Sequence, residues 1–363
     1  MDLAIGSKVA LGRRGHLGDM VVCLPLVATI KRQRPDIRVC MVASSYTIPL
    51  LETFEWLDEV IDEKAVIANP ALLTERGIDA FVNPLADVDL ARAAYLARVP
   101  LRIGDLDRPK TMRYCNRFVW GRRKWSALHE AQIILRHLVP LGLGCRLSLT
   151  ELKGLTRLSR VTPLDEVLRC RLDGRAFNLV IHPKSHQNGR EWPARHFLKL
   201  VKLLENEPVR VLLTGMDCEQ RVLASECPEL LKQDSVTVLM GATAPSQLIS
   251  LIAHADGLVA SGTGPLHIAA ALGIHALGLF PRRASIDARR WHPLGAKGEA
   301  IQMTGSCLFP RDSCTQHKAG EGCRCMLGIS PEQVAARIRS WVRAREGFTG
   351  ESAVGLDGSA CVS

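Results

Sequence analysis

Residues Ala260 to Gly273 read A-S-G-T-G-P-L-H-I-A-A-A-L-G. The run before them, Gly257-Leu258-Val259-Ala260, is short and apolar and reads as the end of a buried strand. The run Leu266–Leu272 after them is rich in Ala and opens a helix. Between the two, Gly262, Thr263 and Gly264 form a turn of small residues at a helix start. Such a turn presents unpaired backbone N–H groups outward. No bulky side chain keeps an anion at a distance, and the helix dipole favours negative charge there. Taken alone, the turn serves equally well as a tight connection in an α/β sheet or as a phosphate site. The rest of the chain decides between them.

On either side the same alternation continues. Strands are expected at Phe177–His182, Val209–Thr214, Val236–Met240 and Ala276–Phe280. Helices are expected at Ala194–Glu205, Asp217–Glu226, Pro245–His254 and Pro331–Arg345. The first half repeats the pattern, with strands at Lys8–Leu11, Ile37–Ala43 and Ile78–Asn83. Its helices fall at Gly18–Arg34, near Asp87–Arg98, and at Ser126–Leu141, the last stopped by Gly142-Leu143-Gly144. Strands alternating with helices specify a parallel sheet covered on both faces, here twice over. The charged stretch Gly144–Gly174 lacks periodicity and reads as the connection. The expected division is a first domain over 1–160, a second over 175–346, and a disordered Gly- and Ser-rich tail over 347–363.

A chain of 363 residues has room for two domains of ordinary size. Its 47% hydrophobic and 23% charged residues place it among globular proteins with a real core. No apolar run approaches the ~20 residues of a membrane-spanning helix. The start, Met1-Asp2-Leu3-Ala4-Ile5-Gly6, lacks the pattern of a signal peptide, so a cytoplasmic location is expected. Cys23, Cys40, Cys115, Cys145, Cys170, Cys218 and Cys227 stand singly and read as reduced thiols. The net charge of +10 is uneven. Arg98, Arg102, Arg108, Lys110, Arg113, Arg117, Arg122, Arg123 and Lys124 crowd one segment, interleaved with Tyr114, Phe118, Trp120 and Trp125. Such a segment suits anionic lipid head groups or a phosphorylated substrate, or is a solvated basic face. No nucleic-acid-binding module accompanies it, so nucleic acid is not the expected partner.

Three motifs carry candidate chemistry. G-R-R-G-H-L-G-D, Gly12 to Asp19, follows the first strand. Its spacing is G-x-x-G-x-x-G, and Met41-Val42-Ala43-Ser44 supplies no acidic residue for a ribose, which argues against a dinucleotide-binding dehydrogenase. Asp19 is either a first-turn carboxylate or a general base. In H-P-K-S-H-Q-N-G-R-E-W-P, His182 to Pro193, the residues Lys184, Ser185 and Arg190 can face a diphosphate, while Trp192 packs in the core. In L-L-T-G-M-D-C-E, Leu212 to Glu219, the carboxylate of Glu219 can accept hydrogen bonds from ribose hydroxyls.

In order and spacing these segments resemble glycosyltransferase family 9, the ADP-heptose:lipopolysaccharide heptosyltransferases. The resemblance runs from Lys8 to about Arg345. It rests on Gly18-Asp19 with Leu24-Pro25-Leu26, Arg190-Glu191-Trp192-Pro193, Thr214-Gly215 with Glu219, Thr263-Gly264-Pro265-Leu266-His267 with Ala269–Gly273, and Trp291-His292-Pro293-Leu294-Gly295. It implies an α/β fold of GT-B type, with two Rossmann-like domains whose parallel sheets face across a cleft. It implies an ADP-sugar donor on the second domain and a lipopolysaccharide-core or similar glycolipid acceptor against the first. Asp19 becomes the catalytic base of an inverting transfer. Lys184, Ser185, Arg190, Glu219, Gly262, Thr263, Gly264, Pro265 and His267 become donor-binding residues. Arg13, Arg14 and His16, with Arg113, Arg122 and Arg123, become acceptor- or membrane-facing, on an enzyme peripherally associated with the inner membrane. No cofactor or metal is implied.

Two positions depart from the family's pattern. Gly262 stands where many members carry Asp, and Arg190 where Lys is usual. Arg keeps the charge and adds a bidentate fork. The missing Asp leaves open a catalytically silent sugar-nucleotide-binding relative, and a nucleotide-dependent epimerase or dehydrogenase is the remaining alternative. Cys307, Cys314, Cys323 and Cys325 lie with His317 in one polar segment, but their spacing is not that of paired zinc knuckles, and no metal is assigned to them.

Overall fold

Twelve strands form two parallel sheets in a computed structural model that describes residues 3–120, 126–185, 190–304 and 323–354. The first sheet takes β1 (Lys8–Gly12), β2 (Arg38–Ala43), β3 (Glu59–Asp62), β4 (Ala80–Val82), β5 (Leu101–Asp105) and β6 (Arg117–Val119). Their order is β3-β2-β1-β4-β5-β6. The second takes β7 (Phe177–His182), β8 (Val209–Leu213), β9 (Val236–Val238), β10 (Gly257–Ala260), β11 (His275–Phe280) and β12 (Gly298–Gln302). Its order, β12-β11-β10-β7-β8-β9, is the same winding repeated. Every pairing is parallel.

This winding sets the position of the site. The chain reverses direction across each sheet between β1 and β4, and again between β7 and β10. Loops leaving the carboxyl ends of these strands splay apart and open a crevice there. The loop after β1 is Arg13–His16, which leads into Asp19. The loops after β7 and β10 carry Lys184 to Pro193 and Ser261 to Thr263. Two of the three motifs, Gly12–Asp19 and His182–Pro193, together with the Gly262–Gly264 turn, therefore lie at switch points, while Leu212–Glu219 leaves the neighbouring strand β8.

Several elements depart from the expected pattern. The stretch Gly18–Arg34 is two helices, Leu17–Val21 and Leu24–Gln33. Pro25 has no N–H to give to Val21, and its ring would meet that carbonyl, so a continuous helix cannot pass. Ser126–Leu141 resolves into an α-helix over Glu130–Leu135 and a 3-10 turn over Arg136–Leu141, which Gly142 ends at φ +76°. The strands β3, β5, β6 and β12 were not read from the sequence. The connection holds two short helices, Leu149–Lys153 and Glu166–Arg169. It is bonded to both sides, for Ser159 N and Arg160 N donate to Thr53 O at 3.0 Å, and Leu158 N donates to Ala271 O at 3.1 Å. The last helix, Pro331–Val354, runs past residue 346, and residues 355–363 lie outside the described residues. Its Trp341 stacks on His275 with ring centroids 4.7 Å apart, against the second sheet.

The two sheets meet through small residues. The Leu17–Val21 helix lies on the Gly264–Leu272 helix. A Cβ placed on Gly264 would stand 3.0 Å from Leu17 Cβ and 3.1 Å from Gly18 N. One placed on Gly18 would stand 3.0 Å from His267 Cδ2. Only glycine allows this approach of backbone to backbone. A single apolar cluster runs through the join, from Val9 and Leu11 in β1 by Leu17 and Met20 to Leu266, Ile268 and Phe280.

Candidate functional site

The phosphate-turn candidate is built by β10 and the helix after it. Gly262 has φ +55°, a left-handed conformation that favours glycine, and an added Cβ would sit 3.1 Å from Phe280 Cε1. Thr263 is extended and caps the Gly264–Leu272 helix. Two polar atoms here are buried without a partner, Thr263 Oγ1 and His267 Nδ1. Orphaned buried polar atoms cost free energy unless a ligand or water meets them, so they mark a place where a polar group docks.

Across the join stands Asp19. Arg13 Nη2 donates to Asp19 Oδ1 at 2.6 Å, and His16 N donates to Asp19 Oδ2 at 3.0 Å. Each carboxylate oxygen is thus held by a separate donor, which fixes the rotamer. Arg13 is only 3% exposed, so it does not stand at the acceptor or membrane surface assigned to it. Arg14 is likewise spent, on Asp87, Asp89 and Glu63. Asp87 and Asp89 form one of two Asp-x-Asp triplets in the chain; Asp105 and Asp107 form the other. The first triplet is engaged by Arg14, and Asp87 also caps the Val88–Leu96 helix. Among the described residues no group of three His, Cys, Asp or Glu side chains is placed to hold a metal ion.

A cleft of about 360 Å³ joins the two sides. From the first sheet it is lined by His16, Leu17 and Tyr46. From the second it is lined by the loops after β7, β8, β9 and β10, with Ser185, Met216, Glu219, Gly262, Thr263 and Pro265 among them. His16, expected on the acceptor side, therefore faces the same space as the phosphate turn. His182, Tyr46, Thr243 and Leu248 also line it and were not singled out in the sequence.

The loop after β7 is organised by a residue the sequence left unassigned. Glu191 accepts from Ser185 N at 2.7 Å and Ser185 Oγ at 3.0 Å, and pairs with Lys184 Nζ at 2.6 Å. Lys184 also reaches Glu226 at 3.0 Å. Burial alone would lower the Lys184 ammonium, but the hydrogen bonds and charges of Glu191 and Glu226 outweigh it and raise its pKa. Lys184 is thus a buried brace for the loop, and not an open cation facing a diphosphate. Arg190 is buried beside Trp192, whose backbone N–H donates to Ser261 Oγ at 2.9 Å and ties this loop to the phosphate turn. Glu219 is buried and accepts from Met216 N at 2.8 Å.

Behind Asp19 and His267 a polar cluster crosses the join. Glu130 and Arg290 form a buried ion pair at 2.8 Å. His129 Nδ1 accepts from Ala131 N at 3.1 Å, which leaves Nε2 to donate to His292 O at 3.0 Å. Burial pushes His129 down to about 4. Burial, with the nearby His129, pushes His267 down to about 3, against the opposing charge of Asp19. Both rings are neutral in the folded protein, whereas the unfolded chain binds their protons near the ordinary value of 6.5. Their contribution to stability is therefore complete above about pH 6.5 and is lost as pH falls toward about 4 and about 3, at up to about 1.4 kcal/mol per pH unit for each. Denaturant unfolding between about pH 7.5 and about pH 5 should show this slope, and His267→Gln should flatten it.

Comparison with known proteins points to one family. The sequence model of Glycosyltransferase family 9 (heptosyltransferase) matches residues 163–318. The chain is similar to lipooligosaccharide heptosyltransferase 2 of Campylobacter jejuni, 22% identical over 335 residues, covering 90% of this chain and 96% of that one. Among solved structures it resembles Escherichia coli ADP-heptose lipopolysaccharide heptosyltransferase II, with a TM-score of 0.70, 18% identity, and 94% and 99% of the two chains covered. It also resembles E. coli heptosyltransferase WaaC with ADP, with a TM-score of 0.67, 15% identity, and 92% and 99% covered.

Over residues 163–318 the chain matches glycosyltransferase family 9, and along nine-tenths of its length it is similar to a heptosyltransferase.

The chain is a glycosyltransferase, and its two facing sheets are the GT-B arrangement. The family segment Trp291–Gly295 does structural work at the join, where His292 O accepts from His129 and Leu294 O accepts from Thr156 Oγ1 at 2.8 Å. The basic segment of this glycosyltransferase is partly internal. Arg102 is half-buried, donates to Tyr114 O at 2.8 Å and lies over the Tyr95 ring, while the exposed Arg113 lies 4.7 Å from the Tyr114 ring centre. Phe118 and Trp120 are exposed, Trp120 by 82%. Arg122 and Arg123 lie outside the described residues, as do Cys307, Cys314 and His317. Cys323 and Cys325 are buried. No helix among the described residues is long and apolar enough to cross a membrane.

Proposed function

We propose that this glycosyltransferase is an inverting heptosyltransferase, moving a heptose or related sugar from ADP-heptose to a lipopolysaccharide core or similar glycolipid. The observation that carries the reading is the meeting of Asp19 with the Thr263–His267 turn, through the contact of Gly18 with His267 and Gly264. A general base and an anion-binding turn on opposite sheets are what a single displacement needs. Asp19 takes the proton of an acceptor hydroxyl as that oxygen bonds to the anomeric carbon. The bond from that carbon to the diphosphate oxygen breaks, and its electron pair leaves with ADP. The N–H groups at the start of the Gly264–Leu272 helix, Thr263 Oγ1, His267 and Arg190 meet the departing charge. Glu219 takes the ribose hydroxyls. The acceptor lipid lies at the inner membrane, and the exposed Arg117, Phe118 and Trp120 face it.

A thermal-shift panel of ADP, UDP, GDP, CDP and NAD tests the donor. ADP at ~100 times its Kd should stabilise the protein by about 2.7 kcal/mol. A selective response to ADP supports the reading. A preference for UDP or GDP removes ADP-heptose as the donor, and a response to NAD alone or to no nucleotide sinks the proposal.

A further inference from the structure

The shape of the cleft allows a second assignment, which rests on reading it as the nucleoside diphosphate site. Its lining crosses four consecutive strand ends of the second sheet, β10, β7, β8 and β9. Neighbouring strands are spaced by about 4.8 Å, so the cleft spans roughly 14 Å from the phosphate turn after β10 to the loop after β9. That is about the length of a nucleoside diphosphate. With phosphates on the β10 turn, the base falls at the β8–β9 end, where Met216, Pro245 and Leu248 supply apolar surface and Glu219 lies between. At this end the second sheet provides one wall only.

The facing wall comes from the first sheet. Tyr46 lines the same cleft and is 48% exposed. It sits on a tight turn after β2, where Thr47 N donates to Ser44 O at 2.8 Å and Ile48 N donates to the same oxygen at 3.2 Å. Thr47 itself is buried, which roots the turn. The Ile48–Glu52 helix that follows packs on the Pro245–Ala253 helix of the second sheet, and this contact carries Tyr46 over the β8–β9 end. Its phenol is raised in pKa, by burial first and then by the charge of Glu219, which places the ring near that carboxylate. A half-exposed aromatic on a rigid turn, opposite an apolar floor, is a surface on which a planar ring stacks at little cost in ordering.

We propose that Tyr46 is a donor-binding residue that closes the nucleobase end of the cleft, so that the base is held between the two sheets. The phosphates are gripped by one sheet and the base by both. Donor binding then draws the sheets together and favours the apposition of Asp19 with the phosphate turn.

The test compares ADP with inorganic pyrophosphate, which carries the anion without the base, by calorimetry on the full chain. Tyr46→Ala should weaken ADP by about tenfold or more and leave pyrophosphate within about twofold of the wild-type value. Tyr46→Phe keeps the ring and should restore most of the ADP affinity; an unchanged melting temperature in both variants shows the fold intact. Wild-type protein that binds ADP, with Tyr46→Ala binding it equally well, overturns the role of Tyr46 alone. Equal losses for ADP and pyrophosphate also overturn it. Wild-type protein that binds none of ADP, UDP, GDP and CDP overturns the reading of the cleft and Tyr46 with it.

Discussion

Asp19→Asn should lower sugar transfer by about 10²–10⁴-fold while leaving ADP affinity within about twofold. The substitution keeps the shape of the side chain and an oxygen able to accept from Arg13. It removes the negative charge that takes up the acceptor proton. The cleft beside it is walled by His16 and Leu17 of the same turn, so the nucleotide's own contacts remain. Loss of turnover with retained ADP binding separates a base from a residue that holds the donor. The paired assay is single-turnover transfer with calorimetry on the same preparation. Native-rate transfer by the Asn variant removes Asp19 from the chemistry.

Gly264→Val is the second large effect expected. A Cβ at this position would meet Leu17 Cβ at 3.0 Å and the backbone nitrogen of Gly18 at 3.1 Å. The backbone of Gly18 cannot turn aside as a flexible side chain can, so the two helices must separate. Separation moves Asp19 and the phosphate turn apart together. A misplacement of about 1 Å at reacting groups costs on the order of 10²-fold in rate, so transfer should fall by at least that factor. The sheets have their own cores on either side, and overpacking at one contact typically costs only about 1–3 kcal/mol, so the variant should remain folded. Circular dichroism with a transfer assay checks both halves of this expectation. A folded variant with native turnover would show that the contact of Gly18 with Gly264 does not align the site.

Most of the strands that sequence patterning reveals are buried on both faces; the edge strand β9, half-exposed along its length, is the exception. β7 and β10 are buried throughout, and β1, β2 and β11 nearly so, which makes each a short uninterrupted apolar run. β3, β6 and β12 lie at the edges of their sheets and are mostly half-exposed or exposed. Their residues, such as Arg117 and Phe118 in β6, are free to be polar, and the pattern fades. β5 is interior, but Arg102 interrupts its apolar run; its guanidinium donates to the carbonyls of Val99 and Tyr114 and lies over the Tyr95 ring, contacts that no local pattern announces.

The same distinction holds at the site. Asp19, Gly262, Thr263, Gly264 and Glu219 belong to strand-turn-helix signals that are local in the chain. The partner of Lys184 at Glu226 is 42 residues away, and that of Glu130 at Arg290 is 160 away. Spacing within a motif cannot disclose such pairs. Lys184 and Arg13 read as open cations in the sequence, whereas each is buried on a carboxylate of its own motif, Glu191 and Asp19, a pairing that the burial of the loop decides and spacing does not announce. Tyr46 escaped notice for a related reason, since it reaches the cleft from the opposite sheet.

The stereochemistry of transfer decides whether Asp19 guides a single displacement. Wild-type protein incubated with ADP-heptose and a lipopolysaccharide-core acceptor should yield a new glycosidic bond whose anomeric configuration, read by NMR, is opposite to that of the donor. A single displacement assisted by Asp19 permits no other outcome. A product that keeps the donor's configuration would contradict a one-step attack guided by this base.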